Sequence, residues 1–404
     1  MARLKALQRD ALPEDQRRFF DAVRWIRRRP ISGPFIVSIN SSADLAARIA
    51  HLGHYFHSRG QGDESILPMR VRTFISVIGS RALDAPYEWS AWVNWSLEAG
   101  VPQETVDDVR EGRTPQNLTA DDRLLTDFCT QLISGNHRVS DATFKAALDR
   151  YGVQGVVELV MTVGYFALIA LPLNAFEIEM SAEQLARQKP FKPLPVTGKP
   201  WAGADGDAAE RSLPSLTGKS GAPRVPLLAE HDHVPREHQH FLDRVVLTRG
   251  WVSGVFQVLM HTPDVATRVA NIGDFVLYHS VLPRATQTLA WLIAAREFDC
   301  DYAWDASVGH ARAAKLDPKL IEALEHGNPV AALAGEHKVL FDFCRQLLRG
   351  NHHVTEETYR AIERQYGVSG AVQLSITVGY FAMMSLVANA FNVPPVRDDS
   401  KTAL

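Results

Sequence analysis

Cys300, Ser307 and His310 fall at i, i+7 and i+10 with Ala303 between them, a spacing that puts all four on one face of a helix. Their types suit chemistry on a small molecule. An imidazole titrates near neutrality and can carry a proton to or from carbon or oxygen. A hydroxyl can orient a substrate, and a thiol becomes a nucleophile once ionised. Upstream, Arg284 follows Leu282–Pro283, and its guanidinium can hold a carboxylate through paired hydrogen bonds. Gln287, one helical turn beyond Arg284, and His261, in the His-Thr-Pro segment before Asp264, extend the polar set. Each residue also has a plain alternative: a solvent-facing His310, a capping His261, an ordinary ion pair for Arg284.

This face lies within a longer stretch of sequence that occurs twice. GNHRVSDATFKAALDRYGVQGVVELVMTVGYF, from Gly135 to Phe166, returns as GNHHVTEETYRAIERQYGVSGAVQLSITVGYF from Gly350 to Phe381. The offset is 215, the separation of Thr162 from Thr377, and it holds without a gap from Leu67/Leu282 to Phe176/Phe391. Solenoid repeats run about 20 to 50 residues, so this is a duplicated domain. Outside that stretch, Leu12–Pro13 with Phe19 and Asp21 is echoed by Val234–Pro235 with Phe241 and Asp243, and Ser32–Gly33–Pro34–Phe35 by Ser253–Gly254–Val255–Phe256. A longer loop around Arg59–Glu64 absorbs the change of register in the first copy. The expected organisation is a first domain over 1–181, a Pro/Gly/Lys/Ser-rich linker over 182–223 and a second domain over 224–395.

Both copies show helical periodicity. Leu289, Leu292, Ile293 and Arg296 lie on one helix, and Leu340, Phe341, Cys344, Leu347 and Leu348 on another. Ser140 and Thr355 read as N-caps, Gly152 and Gly367 as C-caps. No sustained two-residue alternation is flanked by hairpin turns, so the class is all-α.

Composition narrows the function. A net charge of −3 gives no electrostatic footprint for nucleic acid, and the cluster Arg27–Arg28–Arg29 reads as a solvated helix end. The three cysteines, Cys129, Cys300 and Cys344, form no disulfide framework, and a reducing cytoplasm is expected. The N-terminal residues are charged throughout, without the apolar core of a signal peptide. The apolar run Val156–Leu173 and its copy read as buried core rather than bilayer spans. His51, His54 and His57 spread over more than one helix face, lack nearby carboxylates and have no histidine mates, so no metal site is assigned. No phosphate-binding glycine loop or nucleophile elbow is present, and no cofactor is expected.

Because the chain contains its own relative, the two copies can be compared. Where the second reads Cys300, Ala303, Ser307 and His310, the first reads Ala85, Glu88, Trp92 and Trp95. If this face lines a pocket, the second copy has room for a ligand and the first is largely filled by its own indoles, which would leave one working pocket per chain, in the second half. The alternative is that Trp92 and Trp95 form an aromatic wall for a ring-shaped ligand. Tyr87/Tyr302, Trp89/Trp304, Arg81/Arg296 and Asp84/Asp299 are identical in both copies, which marks them as parts of the shared fold. Tyr302 and Trp304 are carried as substrate-facing candidates as well. Asn136–His137 and Asn351–His352 read as turn residues.

The order of these blocks resembles the carboxymuconolactone decarboxylase family, related to alkylhydroperoxidase D. Those blocks are Gly-Pro-Phe, Leu-Pro followed by arginine, A-R-E-F-D-C-D-Y-A-W, a Val-Ser-Asp helix, V-G-Y-F and Asn-Ala-Phe. The resemblance covers both halves. It implies an all-helical fold in tandem copies and a homo-oligomer, either a trimer imitating a hexamer or a dimer. Peroxidase members use Cys-x-x-Cys with a histidine four residues on; here Cys300, Ala303 and Ser307 stand at those places, and Ala85, Glu88 and Trp92 in the first copy. Decarboxylase members carry Glu-Trp-x-x-His, read here as Glu88–Trp89–Ser90–Ala91–Trp92 and Ala303–Trp304–Asp305–Ala306–Ser307, so that histidine is missing twice. The resulting expectation is a cofactor-independent, decarboxylase-like lyase acting on a small, acidic, ring-derived compound. Arg284 would anchor a carboxylate, His310 would move the proton, and Ser307 with Tyr302 would orient the substrate. The rivals are a thiol-dependent antioxidant enzyme using Cys300 and a non-catalytic oligomeric scaffold.

Overall fold

The computed structural model describes residues 3–57, 65–134, 137–186, 221–327, 333 and 335–395. Among them every regular element is helical. The first copy contains α1 (Glu14–Arg27), α2 (Pro34–Ile39), α3 (Ala43–His57), α4 (Met69–Ala82), α5 (Pro86–Glu98), α6 (Gln103–Arg110), α7 (Ala120–Cys129) and α8 (Asp141–Phe176). A short α9 (Ala182–Ala186) follows. The second copy contains α10 (Gln239–Arg249), α11 (Gly254–Leu259), α12 (Pro263–Tyr278), α13 (Arg284–Glu297), α14 (Asp301–Ala313), α15 (Pro318–Glu325), α16 (Gly335–Leu348) and α17 (Glu356–Phe391). The starts of α4 and α13, α5 and α14, α6 and α15, and α8 and α17 are each 215 residues apart.

Local chemistry fixes these boundaries. The Ser140 hydroxyl accepts the Thr143 N–H at 3.2 Å and the Thr355 hydroxyl accepts that of Thr358 at 3.3 Å. Each cap satisfies an amide that the first helical turn leaves unpaired, an effect of about 1 kcal/mol. Gly152 and Gly367 differ from simple C-caps. The chain turns there at φ 67°, ψ 177° and φ 68°, ψ 176° and re-enters helix at once. Only glycine occupies that region readily, so both long helices are two segments meeting at a glycine kink.

The kink sends an apolar segment into the core. In α8 and α17 the most apolar windows, long and apolar enough to cross a membrane, are 100% and 89% buried within the protein. The two helices pack closely at mates Gly164 and Gly379. A Cβ on Gly379 would lie 2.9 Å from the Ala167 carbonyl oxygen, and one on Gly164 2.7 Å from Met383 Cγ.

Reciprocal contacts around this crossing show that the halves are related by a pseudo-two-fold axis. Arg3 donates to the Ala175 carbonyl at 2.7 Å and pairs with Glu356 at 3.1 Å; Arg224 donates to the Ala390 carbonyl at 3.1 Å and pairs with Asp141 at 2.5 Å. Phe176 meets Tyr359 edge-on at 5.5 Å, and Phe391 meets Phe144 at the same distance. Arg48 reaches the Asn271 carbonyl at 2.6 Å and Arg268 the His51 carbonyl at 2.7 Å. The duplication therefore behaves as an intramolecular dimer, each half's leading arm bound to its own long helix and to the start of the other's.

The first residues of the expected linker form α9, where Gln184 donates to Ser90 Oγ at 2.9 Å. Residues 187–220, the loop around Arg59–Glu64 and Asn136 lie outside the described residues. His137 and His352 are turn residues: they adopt φ 62° and 58°, and their Nδ1 atoms bond the Leu132 and Leu347 carbonyls at 3.1 and 2.7 Å. Arg81 and Asp84 form an i, i+3 ion pair at 3.1 Å.

Candidate functional site

Arg284 is the first residue of α13, and His310 lies in the last turn of α14. The Arg284 guanidinium donates to the Leu277 carbonyl at 2.8 Å, to Gln287 Oε1 at 3.2 Å and to His310 Nδ1 at 3.2 Å. It also lies 4.7 Å over the Trp291 ring. Arginine has only donors, so Nδ1 must accept, and the neutral imidazole carries its proton on Nε2. Burial, and then the neighbouring Arg284 charge, hold the His310 pKa below its usual value. Desolvation likewise lowers that of Arg284.

No partner of Arg284 among the described residues is a carboxylate. Other poorly exposed arginines do have one: Arg81 has Asp84 at 3.1 Å, Arg268 has Asp264 at 2.7 Å and Arg345 has Glu297 at 3.1 Å. A half-buried cation without a counter-charge pays desolvation with no Coulombic return, and an anion entering the site would supply that return.

The face behind this pair is less open than the sequence comparison implied. Trp291, on α13, stacks on Phe381 at 4.8 Å and meets His310 edge-on at 5.7 Å. In the first half Trp92, on α5, meets the mates of those residues, Phe166 at 5.8 Å and Trp95 at 5.0 Å. Trp291 replaces Ser76, and Ser307 replaces Trp92. An indole has thus changed helices between the copies and packs against equivalent partners in each. The expectation of an emptied second-half face is corrected accordingly.

The candidate residues divide into two groups. Arg284, Gln287 and His310 are joined by hydrogen bonds, and Gln287 is further held by donating to the Leu282 carbonyl at 3.3 Å. Ser307 is buried on the His310 helix and donates to the Ala303 carbonyl at 2.7 Å. The remaining four take structural places. Tyr302 packs against Gly254 as Tyr87 packs against Gly33, and its hydroxyl is engaged by Ser253. Trp304 is buried beneath Arg296, 5.9 Å from its ring. His261 bonds the Pro226 carbonyl at 2.8 Å through Nε2, as Asn40 bonds the Lys5 carbonyl at 2.9 Å, so both tether a leading arm. Cys300 is fully buried, its sulfur accepts the Ala303 N–H at 3.4 Å, and burial pushes its thiol up to about 12.

Sequence reasoning missed Trp291 and Arg249. The signal for Trp291 was present, a tryptophan appearing opposite Ser76 where Ser307 had lost one. Arg249 closes α10 as Arg27 closes α1, and the two lie 4.6 and 4.8 Å over Phe256 and Phe35. Its guanidinium donates to the Tyr380 hydroxyl at 2.9 Å.

In the first half, the Trp92 Nε1–H donates to Glu88 Oε2 at 3.0 Å. Burial pushes the Glu88 pKa up to about 7, with Trp92 and Arg27 opposing the shift. His57 packs 4.2 Å from Trp92, both ring nitrogens buried without a hydrogen-bond partner, and burial holds its pKa well below the usual value. The histidine triplet is therefore dispersed, with His57 in this aromatic cluster and His51 exposed. A surface concavity of about 510 Å³ lies against Arg24, Trp25, Arg28 and Arg29 of the basic helix end, and Arg29 also lies 4.8 Å over the Trp95 ring of the first-half cluster.

No family model matches the chain, and no curated protein matches it. Two solved structures do. One is an alkylhydroperoxidase AhpD core, an uncharacterised peroxidase-related protein from Ralstonia eutropha JMP134. It is 18% identical over 46% of this chain and 96% of its own, with a TM-score of 0.39. The other, an uncharacterised peroxidase-related protein from Silicibacter sp. TM1040, is 19% identical over 48% of this chain and 94% of its own, with a TM-score of 0.36. At those TM-scores neither likeness bears on what this chain does.

Proposed function

We propose that the second half is a cofactor-independent acid/base site for a small carboxylated, ring-derived substrate, working as a decarboxylase-like lyase. The observation that carries this reading is Arg284, a half-buried guanidinium that has no carboxylate partner among the described residues and donates directly to His310 Nδ1. The resemblance to carboxymuconolactone decarboxylases in the sequence supports the substrate class.

Arg284 binds the substrate carboxylate. That anion draws the guanidinium off His310 Nδ1 and offsets its charge, so the imidazole takes up a proton at that nitrogen. When carbon dioxide leaves, the electrons of the broken C–C bond stay on carbon; the cationic site stabilises them and His310 delivers the proton. Ser307, on the same helix face, keeps acceptor capacity to orient the substrate. The same reading takes the protein as a homo-oligomer in the cytoplasm; its three free, buried thiols suit a reducing compartment.

Turnover of carboxylated lactones and enol acids, with release of carbon dioxide, tests the proposal. His310→Gln should lower kcat at least 100-fold, and Arg284→Met should raise KM. Retained turnover in His310→Gln would refute the mechanism. The scaffold reading has one observation in its favour, the packing of Trp291 into the face, and predicts neither turnover nor ligand binding. The thiol reading meets a buried Cys300 whose first-half mate is Ala85, so no specific observation favours it.

A further inference from the structure

The first half contains a hydrogen bond that the second half lacks. Trp92 gives its indole N–H to the carboxylate of Glu88, a residue 4% exposed. In the second half Trp291 supplies the indole against equivalent ring partners, yet the mate of Glu88 is Ala303. Trp291 is 1% exposed, and its Nε1 is buried with no hydrogen-bond partner. Buried indole N–H groups normally find an acceptor, and leaving one unpaired is costly. The cation over this ring, Arg284, also has no carboxylate partner among the described residues. Arg249 is a third sign. Its mate Arg27 lies near enough to Glu88 to pull that acid's pKa down, whereas Arg249 has a tyrosine hydroxyl as its hydrogen-bond partner.

We propose that a ligand carboxylate takes the place of the missing glutamate, accepting the Trp291 Nε1–H while its charge is met by Arg284. This rests on the reading of Arg284 as an anion anchor and adds the second contact. The first half is then an internal template for the liganded second half, its own glutamate standing in for the ligand's acid group. Relative to Glu88, Ala303 lacks a carboxymethyl group, so the ligand is a carboxylate on a short unbranched stem, such as an arylacetate.

Calorimetric titration of the full chain with phenylacetate, and with 2-phenylethanol as its neutral counterpart, tests this. Wild type should bind the acid and not the alcohol. Trp291→Phe keeps a ring against Phe381 and removes the N–H together with part of the fused ring. It should weaken phenylacetate binding about tenfold, the equivalent of about 1.4 kcal/mol. Ala303→Glu should abolish binding and, without ligand, raise Tm by satisfying the indole. Wild-type affinity in a folded Trp291→Phe protein would overturn the inference and leave the Arg284 reading standing. No binding by wild type, or undiminished binding in Arg284→Met, would overturn both.

Discussion

Replacing Glu88 with glutamine tests whether the first-half acid is held in a dry site. Burial raises its pKa from 4.5 to about 7. A folded pKa above the unfolded one means that the native state prefers the protonated acid. The stabilisation is complete below pH 4.5 and is lost as pH rises through 7. At 1.36 kcal/mol per unit, the full effect is about 3 kcal/mol, most of it between pH 5 and 9. Typical native stabilities are about 5 to 15 kcal/mol, so an effect of this size is measurable. Glutamine cannot ionise but keeps an oxygen for the Trp92 N–H, so the variant should gain on wild type by about 2.5 kcal/mol between pH 5 and 9. Urea unfolding followed by tryptophan fluorescence at the two pH values provides the comparison. Parallel pH profiles for the two proteins would refute the burial argument, and with it the use of Glu88 as a template.

Three other outcomes are expected. The pKa values of His137 and His352 are lowered to about 4 by burial, so the folded state excludes their protons and stability falls as pH drops from 6.5 towards 4. Each costs about 3 kcal/mol in full. His352→Asn, which tolerates the positive φ, should flatten the acid side of the urea-midpoint profile. Gly379→Ala drives a Cβ against the Ala167 and Leu168 backbone and should cost about 2 kcal/mol or more by calorimetry; Gly164→Ala, facing the flexible Met383 side chain, should cost less. Cys300 should resist a thiol-specific reagent at pH 8 in the folded protein and react on denaturation, given full burial and a thiol pKa near 12.

The self-similarity of the chain made the fold legible. The capped starts of α8 and α17, the all-helical class and the buried apolar windows follow from Ser140, Thr355 and helical periodicity, which act locally. The pseudo-two-fold axis was not legible, because Arg3–Glu356 and Arg224–Asp141 join residues with no sequence relation to each other. At the site, helical spacing singled out His310, and the Leu-Pro segment with the family resemblance singled out Arg284; their hydrogen bond depends on where α13 and α14 begin and end. The polar atoms of Tyr302 and His261 are taken up by Ser253 and by the Pro226 carbonyl, contacts that no local pattern announces. Trp291 escaped notice because aligned copies were compared position by position, whereas the indole's space is filled from two different helices.

Burial and the Arg284 charge together hold His310 neutral until a carboxylate arrives. Calorimetric titration with phenylacetate at pH 7, in two buffers of different ionisation enthalpy, measures the protons exchanged on binding. The account predicts net proton uptake by wild type and its loss in His310→Gln. A binding enthalpy independent of buffer, or equal uptake in His310→Gln, would contradict it.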